Sequence, residues 1–192
     1  MSSTVYVPRD SAALAVGADE VASALQAECA RRGLQLKLVR NSSRGLFWLE
    51  PLVEVDTRDG RMAYGPVTAD DVPALLDAGL LEGRAHALCQ GRTEAIPYLA
   101  RQERVTFARM GITDPLSLSD YEAHEGWAGL RRALELDGAA IVQEVTQSGL
   151  RGRGGAAFPA GIKWQTVLKT DAAQKYVVCN ADEGDSGTFS DR

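Results

Sequence analysis

Ser148 to Trp164 reads SGLRGRGGAAFPAGIKW, and four glycines (Gly149, Gly152, Gly154, Gly155) fall within seven of its residues. Arg151 and Arg153 are interleaved with them, and Lys163 follows. Glycine removes the Cβ barrier to positive φ and lets backbone N–H groups approach a ligand closely. Successive exposed N–H groups flanked by cations make a concavity suited to phosphate. A second stretch, Asn180 to Thr188 (NADEGDSGT), sets Asp182, Glu183 and Asp185 within four residues, directly after the apolar run Tyr176 to Cys179. Ligands in α/β folds collect at the carboxyl ends of strands.

Each loop has more than one chemical meaning. The carboxylates suit either a hard metal or acceptance of hydrogen bonds from ligand hydroxyl and ring N–H groups, and a solvated acidic turn stands beside both. Their spacing is not that of an EF-hand, so hydroxyl recognition is the better fit. The glycine loop contains G-x-G-x-x-A from Gly152 to Ala157. The element before it (AAIVQEVTQ) has helical periodicity, which counts against a dinucleotide-binding βαβ unit, and no G-K-[ST] follows as in a Walker loop. Residue chemistry alone reaches a phosphorylated, hydroxyl-rich ligand.

Composition narrows the partners. The 192 residues are 45% hydrophobic and 24% charged, as in an ordinary globular protein, and the net charge is −5. No face-wide basic run exists, which argues against nucleic acid. No apolar run approaches the roughly 20 residues of a membrane span, and the N-terminus lacks a secretory pattern. Cys29, Cys89 and Cys179 are far apart and never in a CxxC pair, so reduced thiols in a cytoplasmic setting are expected, with no local metal motif.

The elements that must position these loops follow in order. TVYV (4–7) has strand character, a helix is expected from about Glu20 to Arg32 with Asp19 as cap and Gly33 at C′, and LQLKLVR (34–40) alternates as a strand does. Leu52, Val53 and Val55 mark a third strand, Asp59-Gly60 a hairpin, and Met62 to Tyr64 its return. Thr68 caps a helix over 70–78. The order β-α-β-β-β-α, closing at Gly83, predicts a thioredoxin-like α/β domain over 1–83. Residues 84–95 read as a linker, and 96–192 as the start of a second α/β domain. In that second domain Ser119 is the expected cap of two short helices split at Gly126, 138–147 is a helix, and YVVC (176–179) is a buried strand.

The pair SGLRGRGGAAFPAGIKW and YVVCNADEGDSGTFSDR is very similar to the paired signature of FMN- and NADH-binding flavoprotein subunits. These serve respiratory NADH dehydrogenase, NAD-reducing hydrogenase and NAD-dependent formate dehydrogenase. The similarity continues upstream through RVTFARMGITDPLSLSDYEAHEGWAGLRRAL and covers about residues 96–192. It implies that Gly152, Gly154, Phe158 and Lys163 line FMN, with Asn180, Asp182, Glu183 and Gly184 on its other side. Arg153, Gly154, Gly155, Ala156, Phe158 and Lys163 would face NAD(H), as would Glu183 and Asp185, whose charge would disfavour the extra phosphate of NADPH. The resemblance also implies that Glu183 would tune the site and that no side chain need act as acid or base, because hydride would pass between the two cofactors. The family often has Gly and Thr at Ala157 and Ala160, and Glu at Asp185.

The N-terminal domain resembles the thioredoxin-like ferredoxins of the same complexes, which hold a [2Fe–2S] cluster on C-x4-C and C-x3-C. The four ligand positions fall on Pro8, Ala13, Ser43 and Phe47. None is a thiolate, so a cluster-free domain kept for docking is expected. The resemblance further implies that the chain is an N-terminal portion, with a [4Fe–4S] cluster in the part beyond it. A bare domain fused at this place points to formate dehydrogenase. The expected partners are a thioredoxin-like [2Fe–2S] gamma subunit and a molybdenum- or tungsten-containing alpha subunit, without direct membrane contact. The equivalent subunit of a hydrogenase or quinone reductase, and a flavin-free docking fragment, are the alternatives.

Overall fold

The computed structural model describes residues 3–105, 107–152 and 155–179. It divides into two compact units, Met1–Gly126 and Trp127–Arg192. The first is built on a five-stranded sheet of β1 (Ser3–Tyr6), β2 (Leu36–Val39), β3 (Val53–Thr57), β4 (Gly60–Tyr64) and β5 (Cys89–Arg92) in the order β2-β1-β3-β4-β5. β1 and β2 are parallel, with Val5 opposite Leu38, and all other pairs are antiparallel. A short helix α1 (Ser11–Leu14) and α2 (Ala18–Arg31) cross over between the parallel strands, and α3 (Val72–Asp77) follows the β3–β4 hairpin. This β-α-β-β-β-α topology is the expected thioredoxin-like one.

Local chemistry explains most of these elements. α2 buries Val21, Leu25 and Cys29, one turn apart each time, against the sheet. It ends at Gly33 (φ +68), the left-handed position that glycine fills without steric cost. Its start differs from expectation: Gly17 is the N-cap, and Asp19 lies in the first turn, where its charge still favours the helix dipole. Thr68 forms a reciprocal capping box with Asp71, and α3 follows that turn.

Residues 84–95, expected as a linker, contain β5. Cys89-Gln90-Gly91-Arg92 lacks the β-branched residues that advertise a strand, yet Gly91 lies opposite Ala63 and the pairing shifts register at Ala63/Tyr64. An open antiparallel edge on β4 is enough to recruit it. The first unit therefore runs past the expected boundary at Gly83.

Alternation along the strands gives the sheet two different faces. Val53, Val55 and Tyr64 meet α2 and α3 in the main core. The opposite face carries Tyr6, Glu54, Arg61 and Ala63 and is covered by residues 41–52 and by the segment after β5, including α4 (Pro97–Ala100). Leu46, Leu49, Leu52, Ala63 and Ile96 form a second, smaller core there. Beside it Glu54 is 1% exposed. Arg44 meets it as a two-pronged fork, Nε to Oε1 at 3.0 Å and Nη2 to Oε2 at 2.8 Å. Thr93 donates its hydroxyl to Glu54 Oε2 at 3.2 Å, and Arg61 stands 3.7 Å away.

Arg61 lies over the Tyr6 ring at 3.4 Å and donates to the Gly111 carbonyl at 2.7 Å. Asn41 donates to the same carbonyl at 2.8 Å, and the Gly111 N–H is held by Ser42 Oγ at 2.9 Å. A Cβ at Gly111 (φ +77) would strike Arg44 Cδ. Removing one partner of a buried ion pair leaves the other charge uncompensated. Glu54→Gln is therefore expected to destabilise the protein by about 3–5 kcal/mol, read as a lower urea midpoint for the first unit.

Candidate functional site

In the second unit, α6 (Ala128–Leu134), α7 (Gly138–Gln147) and α8 (Ala160–Lys169) are the helices; α5 (Leu118–Ala123) belongs to the first. The expected pair of short helices split near Gly126 is thus α5 and α6. Ser117 caps α5 through its hydroxyl, accepting from Asp120 N–H, and Ser119 does not. α7 begins on Asp137, whose carboxylate accepts the Ala140 N–H at 2.7 Å. α7 and α8 pack so closely at Gly161 that an added Cβ would lie 2.7 Å from Thr146 Cα. This crossing fixes where the glycine-rich loop leaves one helix and enters the other.

The loop is closed at its neck by backbone bonds. Gly152 N–H donates to Phe158 O at 2.9 Å, and Ala160 N–H donates to Leu150 O at 2.8 Å. Arg151 donates Nε to Ala157 O at 2.7 Å. Two parts of the expected anion cradle, the Gly152 amide and the Arg151 Nε, are thus used within the loop. Gly155 and Ala156 stay exposed at its tip. Nothing lies within 4 Å of the position a Gly155 Cβ would take. Phe158 is 45% exposed, and Lys163 Nζ sits 5.7 Å from its ring centroid. The first turn of α8 adds N–H groups that have no intrahelical acceptor.

The structure therefore brings Gly152, Gly155, Ala156, Phe158 and Lys163 together on one exposed loop and helix start. Arg153, Gly154, Asn180, Asp182, Glu183, Gly184 and Asp185 lie outside the described residues. The described groups fit an anionic ligand with a flat ring: an open aromatic face, a cation beside it, and backbone donors with no side chain in the way. Among the described residues no three His, Cys, Asp or Glu side chains gather as a metal site, and no helix is long and apolar enough to cross a membrane.

One expectation for this region is overturned, and one residue adds a feature of its own. Tyr176 to Cys179, expected as a buried strand, is not a strand: Tyr176 is 79% and Val177 101% exposed. An apolar run becomes a strand only beside a ladder partner, and none among the described residues pairs with it. Ala157 (φ +45) was unmarked by residue chemistry, yet it occupies the left-handed region that a side chain disfavours.

The four positions that match cluster ligands are filled in another way. Pro8, Ala13 and Ser43 are buried, whereas Phe47 is 43% exposed. Ser43 accepts from Gly45 N–H and donates to Glu50 Oε1, and its own N–H goes to Asp10 Oδ2 at 2.8 Å. A set of proline, alanine, serine and phenylalanine offers no thiolate, so a [2Fe–2S] cluster does not fit there. The loops are tied by Asp10, Ser43 and Glu50 instead. Burial pushes the Glu50 carboxyl above its usual range; the Ser43 hydroxyl and the Leu52 N–H oppose this, and Asp10 and Glu54 add to it.

Comparison with known proteins bears on the glycine loop. Residues 145–192 match the family model of the Nuo51 FMN-binding domain. The chain is 51% identical over 92 residues to the NADP-reducing hydrogenase subunit HndC of Solidesulfovibrio fructosivorans, an alignment covering 48% of this chain and 19% of that one. It is 50% identical over 91 residues to one of the NADH-quinone oxidoreductase subunits of Rhizobium meliloti, covering 47% and 22% respectively. The chain thus spans about a fifth of the length of these curated relatives. A thioredoxin-like [2Fe–2S] ferredoxin from Aquifex aeolicus aligns with a TM-score of 0.40 at 20% identity, over 47% of this chain and 97% of that one. The glycine-loop segment is accordingly similar to the FMN-binding domain of NAD(P)-linked oxidoreductase subunits.

Two outcomes follow from the geometry. Ala157→Gly removes the side-chain cost of a left-handed residue, about 1 kcal/mol, so the Gly152 and Ala160 amides are expected to exchange about fivefold more slowly by NMR. Glu50 holds a proton in the folded state at pH values above its unfolded pKa of about 4.3. Its contribution to stability is therefore complete below that pH and is lost as the pH rises through the raised folded value. Glu50→Gln should gain on the parent protein as urea midpoints are followed from about pH 4 to pH 7; a constant difference would contradict this.

Proposed function

We propose that the chain is part of the diaphorase subunit of an NAD-dependent formate dehydrogenase, which exchanges hydride between NAD(H) and FMN and passes electrons to or from iron–sulfur clusters. The observation that carries the reading is the exposed loop of Gly152, Gly155, Phe158 and Lys163 inside the segment that matches the Nuo51 FMN-binding domain. Bound FMN would supply the hydride acceptor for NADH, chemistry that no side chain of the loop can provide. The chain's own residues bind and orient. Gly155 leaves room for close approach of a ring or phosphate. The Phe158 face offers a stacking surface, and the Lys163 ammonium beside it offers a counter-charge for phosphate.

In the same proposal, Arg153 and Gly154 complete the loop, and Asn180, Asp182, Glu183 and Gly184 hold FMN from the other side. Glu183 and Asp185 would repel the extra phosphate of NADPH. A thioredoxin-like domain without cluster ligands, placed before the flavin segment, supports formate dehydrogenase, with a [2Fe–2S] gamma subunit and a molybdenum- or tungsten-containing alpha subunit as partners. Relatives named as hydrogenase and quinone oxidoreductase subunits support a second reading, in which the same diaphorase serves one of those complexes.

The test is carried out on the assembled complex that contains this chain. Yellow flavin should bleach on addition of NADH, and formate should reduce NAD+. Lys163→Ala is expected to weaken FMN or NADH binding about tenfold or more, the loss of one charge-assisted hydrogen bond. Hydrogen or quinone activity without formate activity would move the proposal to the second reading. Absence of bleaching by NADH would remove both.

A further inference from the structure

The face of the sheet opposite α2 and α3 ends in an aromatic platform outside the glycine-loop segment. Trp48 is 57% and Tyr98 50% exposed, and their rings meet edge to face with centroids 5.2 Å apart. Neither sits on a loose loop. Trp48 belongs to the 3-10 turn Phe47–Leu49, anchored by Leu46 and Leu49 in the smaller core, and Tyr98 to α4, anchored there by Ile96 and Leu99. Exposed tryptophan and tyrosine on a rigid support expose apolar area and lose little entropy when covered.

The charges beside the platform are unbalanced. Arg101 lies one turn after Tyr98 and has no carboxylate partner among the described residues. Arg104 is half-buried, donates to Arg44 O at 2.7 Å and to Gln102 Oε1 at 2.9 Å, and likewise has no carboxylate partner among the described residues. Burial and the neighbouring Arg44 guanidinium hold its pKa below the ordinary arginine value, with Tyr98 beside it opposing this. The nearby acids do not serve it: Glu54 is bound to Arg44, Glu94 is 3.7 Å from the same Arg44, and Glu103 is exposed. A half-buried arginine packed against another arginine gains from any carboxylate brought to it.

We propose that Trp48 and Tyr98, with Arg101 and Arg104, form a docking surface for a segment of a partner protein that presents a carboxylate next to an apolar side chain. The apolar group covers the edge-to-face rings, and the carboxylate accepts from the arginines at the rim. This combination of aromatic anchors and arginine is the one that concentrates binding energy at protein interfaces. The surface is built from residues of the first unit alone.

The full chain is titrated with a peptide of alternating Glu and Leu, followed by the NMR signals of the Trp48 indole and the Tyr98 ring. Both signals should shift, and binding should weaken about tenfold or more in Trp48→Ala and in Arg101→Glu, and again on raising the salt. Both substitutions are at exposed positions, so circular dichroism should be unchanged. Equal binding of the matching Lys/Leu peptide, or no shift at about 1 mM peptide, would overturn the proposal. Two further results would assign the surface to another occupant and overturn it as well: a dimer in sedimentation that Trp48→Ala separates, or protection of Trp48 from acrylamide quenching in the isolated chain.

Discussion

The first unit depends on one buried charge. Glu54 is the second residue of β3, on the face of the sheet that does not meet α2 and α3, and a carboxylate at 1% exposure is costly to bury without a partner. Arg44 supplies that compensation through two parallel hydrogen bonds, and Thr93 and Arg61 complete the surroundings. Each of these groups comes from a different part of the chain. The loop before the 3-10 turn brings Arg44, the turn after β5 brings Thr93, and the neighbouring strand brings Arg61. Satisfying one carboxylate thus gathers the covering segments onto the sheet, and the small core around Leu46, Leu49 and Ile96 closes over them.

Much of this fold was legible in the sequence, and the legible parts share a cause. The strand at Val5 announces itself by β-branched and aromatic residues, Leu36–Val39 by alternation and Val53–Thr57 by Val53 and Val55, and α2 by Val21, Ala24 and Leu25 at helical spacing. Gly33 and Thr68 mark helix ends by backbone chemistry that acts within a few residues. What escaped depends on distant partners. β5 is a strand because β4 offers an unpaired edge, not because Cys89-Gln90-Gly91-Arg92 favours one. YVVC has the composition of a strand and no partner among the described residues. Cap positions at Gly17 and Ser117 differ by two residues from those expected, since a nearby polar residue can serve from the first turn as well as from the cap.

The glycine loop was legible as an exposed element rich in glycine and cations, but the assignment of its groups was not. Glycine and arginine content shows that backbone and cations are available; it does not show which of them the loop uses to hold itself together. Gly152 and Arg151 turn inward to Phe158 and Ala157, leaving the tip and the Phe158–Lys163 pair outward. The residues alone reach a phosphorylated, hydroxyl-rich molecule, and similarity to the Nuo51 FMN-binding domain supports the proposal of FMN.

Gly111 carries a consequence for how the first unit comes apart. Its carbonyl is shared by Asn41 and Arg61, its amide is held by Ser42, and the space a side chain would need is filled by Arg44. The segment beyond β5 therefore cannot lift away without disturbing the arginine that neutralises Glu54. Fraying and global opening become the same event for this part of the chain. The chain as far as Gly111 is therefore expected to unfold together with the βαβββα motif that its sequence advertises, and the surface exposed in that step grows accordingly.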